Sequence, residues 1–306
     1  MRVAIVDLGT NTFNLLIADV AGEKIDVVYA GREVVKLGEK SINENRIADT
    51  AFARGIKAFT NIAEIVKMYQ PLQIKVLATS AIREAENGPD FVAEIKKLTG
   101  MDTSVISGDR EAELIYLGNR LAVPLTDDPH LIMDIGGGST EFIIANNKTI
   151  FFKQSYKLGV ARLLEKFNPE NPIGNGTIQK INDYLSEQLQ SLTEEIKKHK
   201  VDCLIGSAGA FETVVDMIGK ENSASGKSCY QIELDDYTQT SKKTVHSTLS
   251  ERERMSGLIP MRRDMIVLSY LLIDFVVQHT GIKQLKISTY SLKEGALFEI
   301  INANNC

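Results

Sequence analysis

The stretch DLGTNTFNLLIADV, Asp7 to Val20, aligns without gaps on DIGGGSTEFIIANN, Asp134 to Asn147, and this internal repeat decides the reading of the chain. Each copy follows a short apolar run, VAIV at Val3 to Val6 and LIM at Leu131 to Met133, and leads into a second apolar run, a polar turn and a third strand. The turns are AGEK at Ala21 to Lys24 and NNK at Asn146 to Lys148, followed by IDVVYA and TIFFKQ. Strand, glycine turn, strand, turn, strand describes an antiparallel meander. Its double occurrence predicts a duplicated α/β fold.

Beyond each meander the apolar period changes from two toward 3.6, the mark of a one-sided helix. Phe52, Ile56, Phe59, Ala63 and Val66 form one stripe; Ile178, Ile181, Leu185, Leu189, Leu192 and Ile196 form the other. Each feeds a short strand, Ile74 to Thr79 in the first half and Cys203 to Gly206 in the second. Further helices are expected over Asp90 to Leu98, Arg110 to Leu121, Ala210 to Ile218, Arg263 to Gln278 and Lys293 to Asn302, with a last strand at Leu285 to Ser288. Val123 to Pro129 reads as a connector between halves and Gly219 to Ser228 as a loop.

Composition bounds the function. At roughly 150 residues per domain, the chain is long enough for about two domains, each with its own core. A 43% hydrophobic and 25% charged composition is that of a globular protein. The longest apolar stretch, Met265 to Gln278, contains Asp274 and has fourteen residues, whereas a membrane span needs about twenty. It is expected to be a buried helix. No secretory leader opens the chain, and a cytoplasmic protein is expected. With 35 basic against 40 acidic side chains the net charge is −5, so no general field attracts a polyanion, and nucleic acid is not expected as a partner. Cys203, Cys229 and Cys306 have neither zinc spacing nor an even count and are expected to be reduced thiols. His130, His199, His246 and His279 lack metal spacing and are expected at the solvated surface.

The two Asp-Gly turns carry the strongest chemistry. Glycine lets backbone N–H groups converge on an anion, and an acidic residue at a strand end can orient a metal or water. Gly136, Gly137 and Gly138 precede Ser139 and Thr140, a run that would let the backbone approach a phosphate closely. Competing motifs fail: SGKS at Ser225 to Ser228 lacks the first glycine of a Walker loop, whose position holds Glu221, and no GxGxxG follows the first strand.

Eight blocks now stand in order: DLGTNTF at Asp7, ATSAIREAEN at Ala78, ISGDREAELIYLG at Ile106, DIGGGSTE at Asp134, LGVARLLEKF at Leu158, GSAGA at Gly206, LSERERMSGLIPMRRDMI at Leu249 and SLKEGAL at Ser291. Over nearly the whole chain they resemble the exopolyphosphatase and guanosine pentaphosphate phosphatase family, in its short two-domain type, within the actin, sugar kinase and Hsp70 superfamily. The resemblance implies two actin-like (ribonuclease H-like) α/β domains, residues 1–121 plus 289–306 and residues 122–288, with a phosphate-binding cleft between them. The helix from Lys293 to Asn302 would cross back onto the first domain. It also implies hydrolysis of a terminal phosphoanhydride with Mg²⁺, K⁺ assistance being open.

By the same resemblance Glu111 matches the family's catalytic glutamate, with Glu113 as the alternative assignment. Asp134 and Glu141 match the acidic pair that holds magnesium or positions water, and Asp7 would do the corresponding job in the first half. Arg83 matches an arginine used on phosphate, and Asn11, Thr12, Ser139 and Thr140, with the glycine run, would bind phosphate. Arg252, Arg254, Arg262 and Arg263 are candidates for extending the track of a long anion. The sequence departs from the family at Lys293, where arginine is common, and at Ala210, where threonine is common. The implied activity is an exopolyphosphatase releasing orthophosphate from inorganic polyphosphate. A pppGpp 5'-phosphohydrolase making ppGpp shares the same motifs; a superfamily phosphotransferase and a non-catalytic polyphosphate or alarmone sensor are the further alternatives. No membrane partner is expected, and the oligomeric state, a homodimer included, is open.

Overall fold

The computed structural model describes residues 1–22 and 24–304. The first half runs β1 (Arg2–Leu8), β2 (Thr12–Ala21), β3 (Lys24–Val34), α1 (Asp49–Tyr69), β4 (Gln73–Ala78), α2 (Ser80–Glu84), α3 (Gly88–Thr99), β5 (Thr103–Val105) and α4 (Gly108–Ala122). The second runs β6 (His130–Ile135), β7 (Thr140–Ala145), β8 (Ile150–Tyr156), α5 (Val160–Phe167), α6 (Asn175–Gln188), α7 (Gln190–His199), β9 (Cys203–Ser207), α8 (Gly209–Ile218), β10 (Cys229–Ile232), α9 (Leu234–Val245), α10 (Leu249–Arg252), α11 (Ile266–Thr280), β11 (Gln284–Ser288) and α12 (Leu292–Asn304).

The first sheet has the order β3-β2-β1-β4-β5, and the second has β10-β11-β9-β6-β7-β8. Leaving aside the antiparallel edge strand β10, the second sheet repeats the first strand for strand: an antiparallel meander whose first strand also pairs in parallel with the strand that follows the helices. The α/β duplication expected from the repeat is therefore present in the hydrogen bonding. Even the register agrees, with Asp7 opposite Asn14 in one half and Asp134 opposite Glu141 in the other.

Strand alternation places three cores. In β1, Ala4, Val6 and Leu8 face the outer helices of the first half, whereas Val3 and Ile5 face inward; in β6, Leu131 and Met133 face outward and Ile132 inward. The inward residues of both sheets share one apolar layer with α4 and α12. Those helices approach unusually closely: a Cβ on Gly118 would collide with the Ser291 carbonyl, and one on Gly295 with the Leu114 carbonyl. Only glycine allows that contact.

Several expectations need correction. The apolar stripe from Ile178 to Ile196 is not one helix, because the axis breaks between α6 and α7 at Leu189, which stays buried so that the stripe survives the break. The helix expected from Arg263 begins at Ile266, behind a 3₁₀ turn over Pro260–Arg262. Within α11, Asp274 is tolerated because Tyr237 and Ser241 donate hydroxyl hydrogen bonds to it at 2.7 and 2.6 Å. Among the described residues no helix is long and apolar enough to cross a membrane. His130 is buried at the start of β6, not solvated, and burial pushes its imidazole pKa down. Cys203 and Cys229 are free thiols, and Cys306 lies outside the described residues.

Candidate active site

The parity that builds the inner layer also gathers the acids. Asp7 falls on the same face as Val3 and Ile5, Asp134 on that of Ile132, and Glu141 on that of Ile143. All three therefore point toward the layer containing α4, whose first turn carries Glu111. These carboxylates line one cleft of about 480 Å³ between the halves.

The two glycine turns form its floor with matching geometry. Gly9 N–H donates to the Thr12 carbonyl at 3.0 Å, and Gly136 N–H to the Ser139 carbonyl at 2.9 Å. The turns also press on each other: a Cβ on Gly137 would sit 2.7 Å from Asn11 Nδ2, and one on Gly138 would sit 2.5 Å from Ser80 Oγ and 2.7 Å from Thr10 Oγ1. The glycine run therefore has a packing role of its own. It lets one half touch the other.

Burial dominates the titration of the acids. It raises Asp7 to about 6 against the opposing Asn14 amide, which donates to Asp7 at 3.0 Å. It raises Glu141 to about 7, although Ser155 donates to that carboxylate at 2.6 Å. Asp134 is also raised by burial, against hydrogen bonds from Ser291 and Ser207. Glu111 lies well above the ordinary carboxylate range because of burial and then the charge of Glu141; Arg83, 2.8 Å away, works in the other direction. Burial is the common cause: the cleft holds its carboxylates away from water, which favours their neutral forms.

The remaining candidates divide. Asn11, Thr12, Gly136, Gly137, Gly138 and Ser139 all line the cleft. Thr140 does not: it faces the outer core with Phe142 and Ile144, fully buried, and its hydroxyl donates to the Leu158 carbonyl at 3.1 Å. Its expected phosphate contact is replaced by a structural one, since strand alternation turns it away from Glu141. Arg83 is engaged by Glu111, Glu84 and the Ile106 carbonyl and is absent from the cleft lining. Glu113 is held outside the cleft by Arg110 and Lys153, which leaves Glu111 as the cleft glutamate of that helix.

The basic cluster breaks up too. Arg262 lines the cleft beside Glu212 and Thr213, whereas Arg252 is buried among the Arg263 and Ser247 carbonyls and serves the body of the second half. Lys293 also reaches the cleft; burial works against its charge, but Glu294, 3.0 Å away, then Glu212 and Asp7 keep its pKa raised. Ala208, at the entrance to α8, holds φ +43° and ψ −149°, a conformation costing a non-glycine residue about 1–3 kcal/mol. Nothing in the sequence GSAGA marks Ala208 out from its neighbours. The strain arises where its N–H reaches across to the Ser288 carbonyl.

The Ppx/GppA phosphatase family model matches residues 16–304. This chain belongs to that family. An exopolyphosphatase of Cytophaga hutchinsonii, known from a crystal structure, is 34% identical and superposes with a TM-score of 0.96 over 99% of this chain and 98% of its own. A candidate exopolyphosphatase of Haemophilus influenzae is 26% identical over 98% of this chain and 91% of its own length. A bifunctional 3-dehydroquinate synthase/phosphatase of Fusobacterium nucleatum is 30% identical over 97% of this chain, which spans 46% of that longer protein.

Proposed function

We propose that the protein is an exopolyphosphatase that hydrolyses the terminal phosphoanhydride of inorganic polyphosphate and releases orthophosphate. The observation that carries this reading is the pair of matched glycine turns facing each other in one cleft, with the buried carboxylate of Glu111 beside them. Backbone N–H groups of the turns, with Asn11, Thr12 and Ser139, would hold the terminal phosphoryl oxygens. Glu111 would take a proton from the attacking water, and the Arg83 guanidinium at 2.8 Å would keep that carboxylate available as a base despite its burial.

Magnesium fits the donor set in one respect and not in another. Asp134 and Glu141 are buried cross-strand neighbours whose carboxylates burial keeps from ionising readily, so a cation between them would offset that cost. Among the described residues, however, no group of three or more His, Cys, Asp or Glu side chains is arranged to hold a metal alone. That pattern suits Mg²⁺, which takes one or two carboxylates and completes its shell with water and substrate phosphate oxygens. Asp134 and Glu141 would hold the ion, with Asp7 facing it only through water, and it would supply the positive charge that offsets the phosphoryl oxygens.

The deciding experiment is phosphate release by the purified protein with Mg²⁺ on long-chain polyphosphate, pppGpp and ATP at matched terminal-phosphate concentration. Preferential release from polyphosphate is expected. Preference for pppGpp would make the protein an alarmone phosphohydrolase instead, and binding of polyphosphate without release from any substrate would make it a sensor.

A further inference from the structure

Arg162, in the LGVARLLEKF block, plays no part in the chemistry above. Its side chain is 6% exposed, with no carboxylate in hydrogen-bond contact. Nε donates to the Gly138 carbonyl at 2.8 Å, and Nη1 donates to the Ile42 carbonyl at 2.7 Å. Nη2 is buried and has no hydrogen-bond partner among the described residues. The first acceptor belongs to the glycine turn of the second half; the second belongs to the segment between β3 and α1 of the first. A buried guanidinium without an ion-pair partner is costly, and here the direct compensation comes from one backbone carbonyl of each half, with Glu84 and Glu165 acting at longer range. The same segment reaches back: Asn43 Nδ2 donates to the Arg162 carbonyl at 3.3 Å, and Asn43 N–H donates to Glu165 at 3.1 Å.

We infer that Arg162 is a positioning residue that latches the Gly136–Gly138 turn onto the Ile42 segment and so fixes the placement of that turn against the first half. The planar guanidinium presents its donors at a fixed separation, which an ammonium cannot reproduce. Because the peptide group is planar and trans, fixing the Gly138 carbonyl also fixes the Ser139 N–H, which points the opposite way. The latch acts on the turn to which the phosphoryl group is assigned, so its kinetic consequence rests on the proposed activity, whereas its structural consequence does not.

If the latch is lost, the binding-competent form becomes a minority state, and apparent affinity falls by that fraction. Arg162→Ala is therefore expected to raise KM for polyphosphate by about tenfold while kcat changes by less than about threefold. Hydrogen exchange should read the latch without any substrate: amides of residues 38–47 and 136–140 should exchange about tenfold faster than in the wild type, with β1 and β9 unchanged. Methylguanidinium added to Arg162→Ala should restore part of the KM loss, and Arg162→Lys should fall between the two. If Arg162→Ala does not fold, Asn43→Ala weakens the strap from the other half, leaves the second core intact and should show the same two exchange segments. Unchanged exchange at both segments in a folded variant would overturn the latch; so would a loss of thermal stability with unchanged KM. Failure of wild-type protein to release phosphate would refute the proposed activity alone, and the exchange measurement would still decide the latch.

Discussion

Replacing Glu141 by glutamine tests the electrostatics of the cleft directly. Glu141 is raised from 4.5 to about 7 in the folded protein, chiefly by burial, while in the unfolded chain it titrates near the ordinary glutamate value of about 4.3. Between those values the folded state binds one more proton than the unfolded state. The free energy of unfolding therefore falls as pH rises, by about 1.4 kcal/mol per unit for this group. The stabilising difference is fully present below the unfolded pKa and lost as pH passes the folded one, so about 3–4 kcal/mol disappears between about pH 4 and pH 8. Glutamine mimics the protonated acid and removes this dependence. Urea unfolding of wild type and Glu141→Gln at a series of pH values should show similar stability near pH 4 and a growing advantage for the variant toward pH 8. Subtracting one curve from the other cancels groups that do not feel Glu141, including His130, whose depressed pKa works in the opposite sense, whereas Glu111, raised in part by the Glu141 charge, changes with it. Millimolar Mg²⁺ should flatten the wild-type curve, because an ion held by ionised carboxylates favours the folded state that binds it. Parallel curves without Mg²⁺ across the whole range would refute the argument that burial leaves Glu141 charge-starved.

Glu111→Gln should reduce kcat by about 10²–10⁴-fold with polyphosphate binding retained in calorimetry; turnover near wild type would exclude Glu111 as the base. Arg83→Ala removes the cation 2.8 Å from Glu111 and should move the acidic limb of the pH–rate profile upward by about one unit or more, a shift that a direct phosphate contact alone would not produce. Thr140→Val should lower stability by about 1–3 kcal/mol through the orphaned Leu158 carbonyl, read as a lower melting temperature with KM unchanged. A raised KM would return Thr140 to the phosphate site.

Much of the candidate site's geometry was legible because it is local. A glycine turn between two strands is specified by consecutive residues, and alternation along a strand decides which of Thr140 and Glu141 faces the inner layer. The error over Thr140 came from reading the turn as a string of phosphate ligands without carrying that alternation one residue further. The pairing of Arg83 with Glu111 was not legible for a different reason: the two stand 28 positions apart and meet only in the folded chain.

The sequence by itself determined the duplication, the matched turns, the helical stripes and the acids that each turn carries, since these depend on short-range periodicity and on backbone freedom at particular residues. Only the tertiary structure decided that the inward faces of the two sheets share α4 and α12, that Gly118 and Gly295 bring those helices into contact, and that Arg162 spans from Gly138 to Ile42. It also decided the titration of the cleft. Desolvation depends on everything packed around a carboxylate, and that surrounding is assembled from segments distant in the chain.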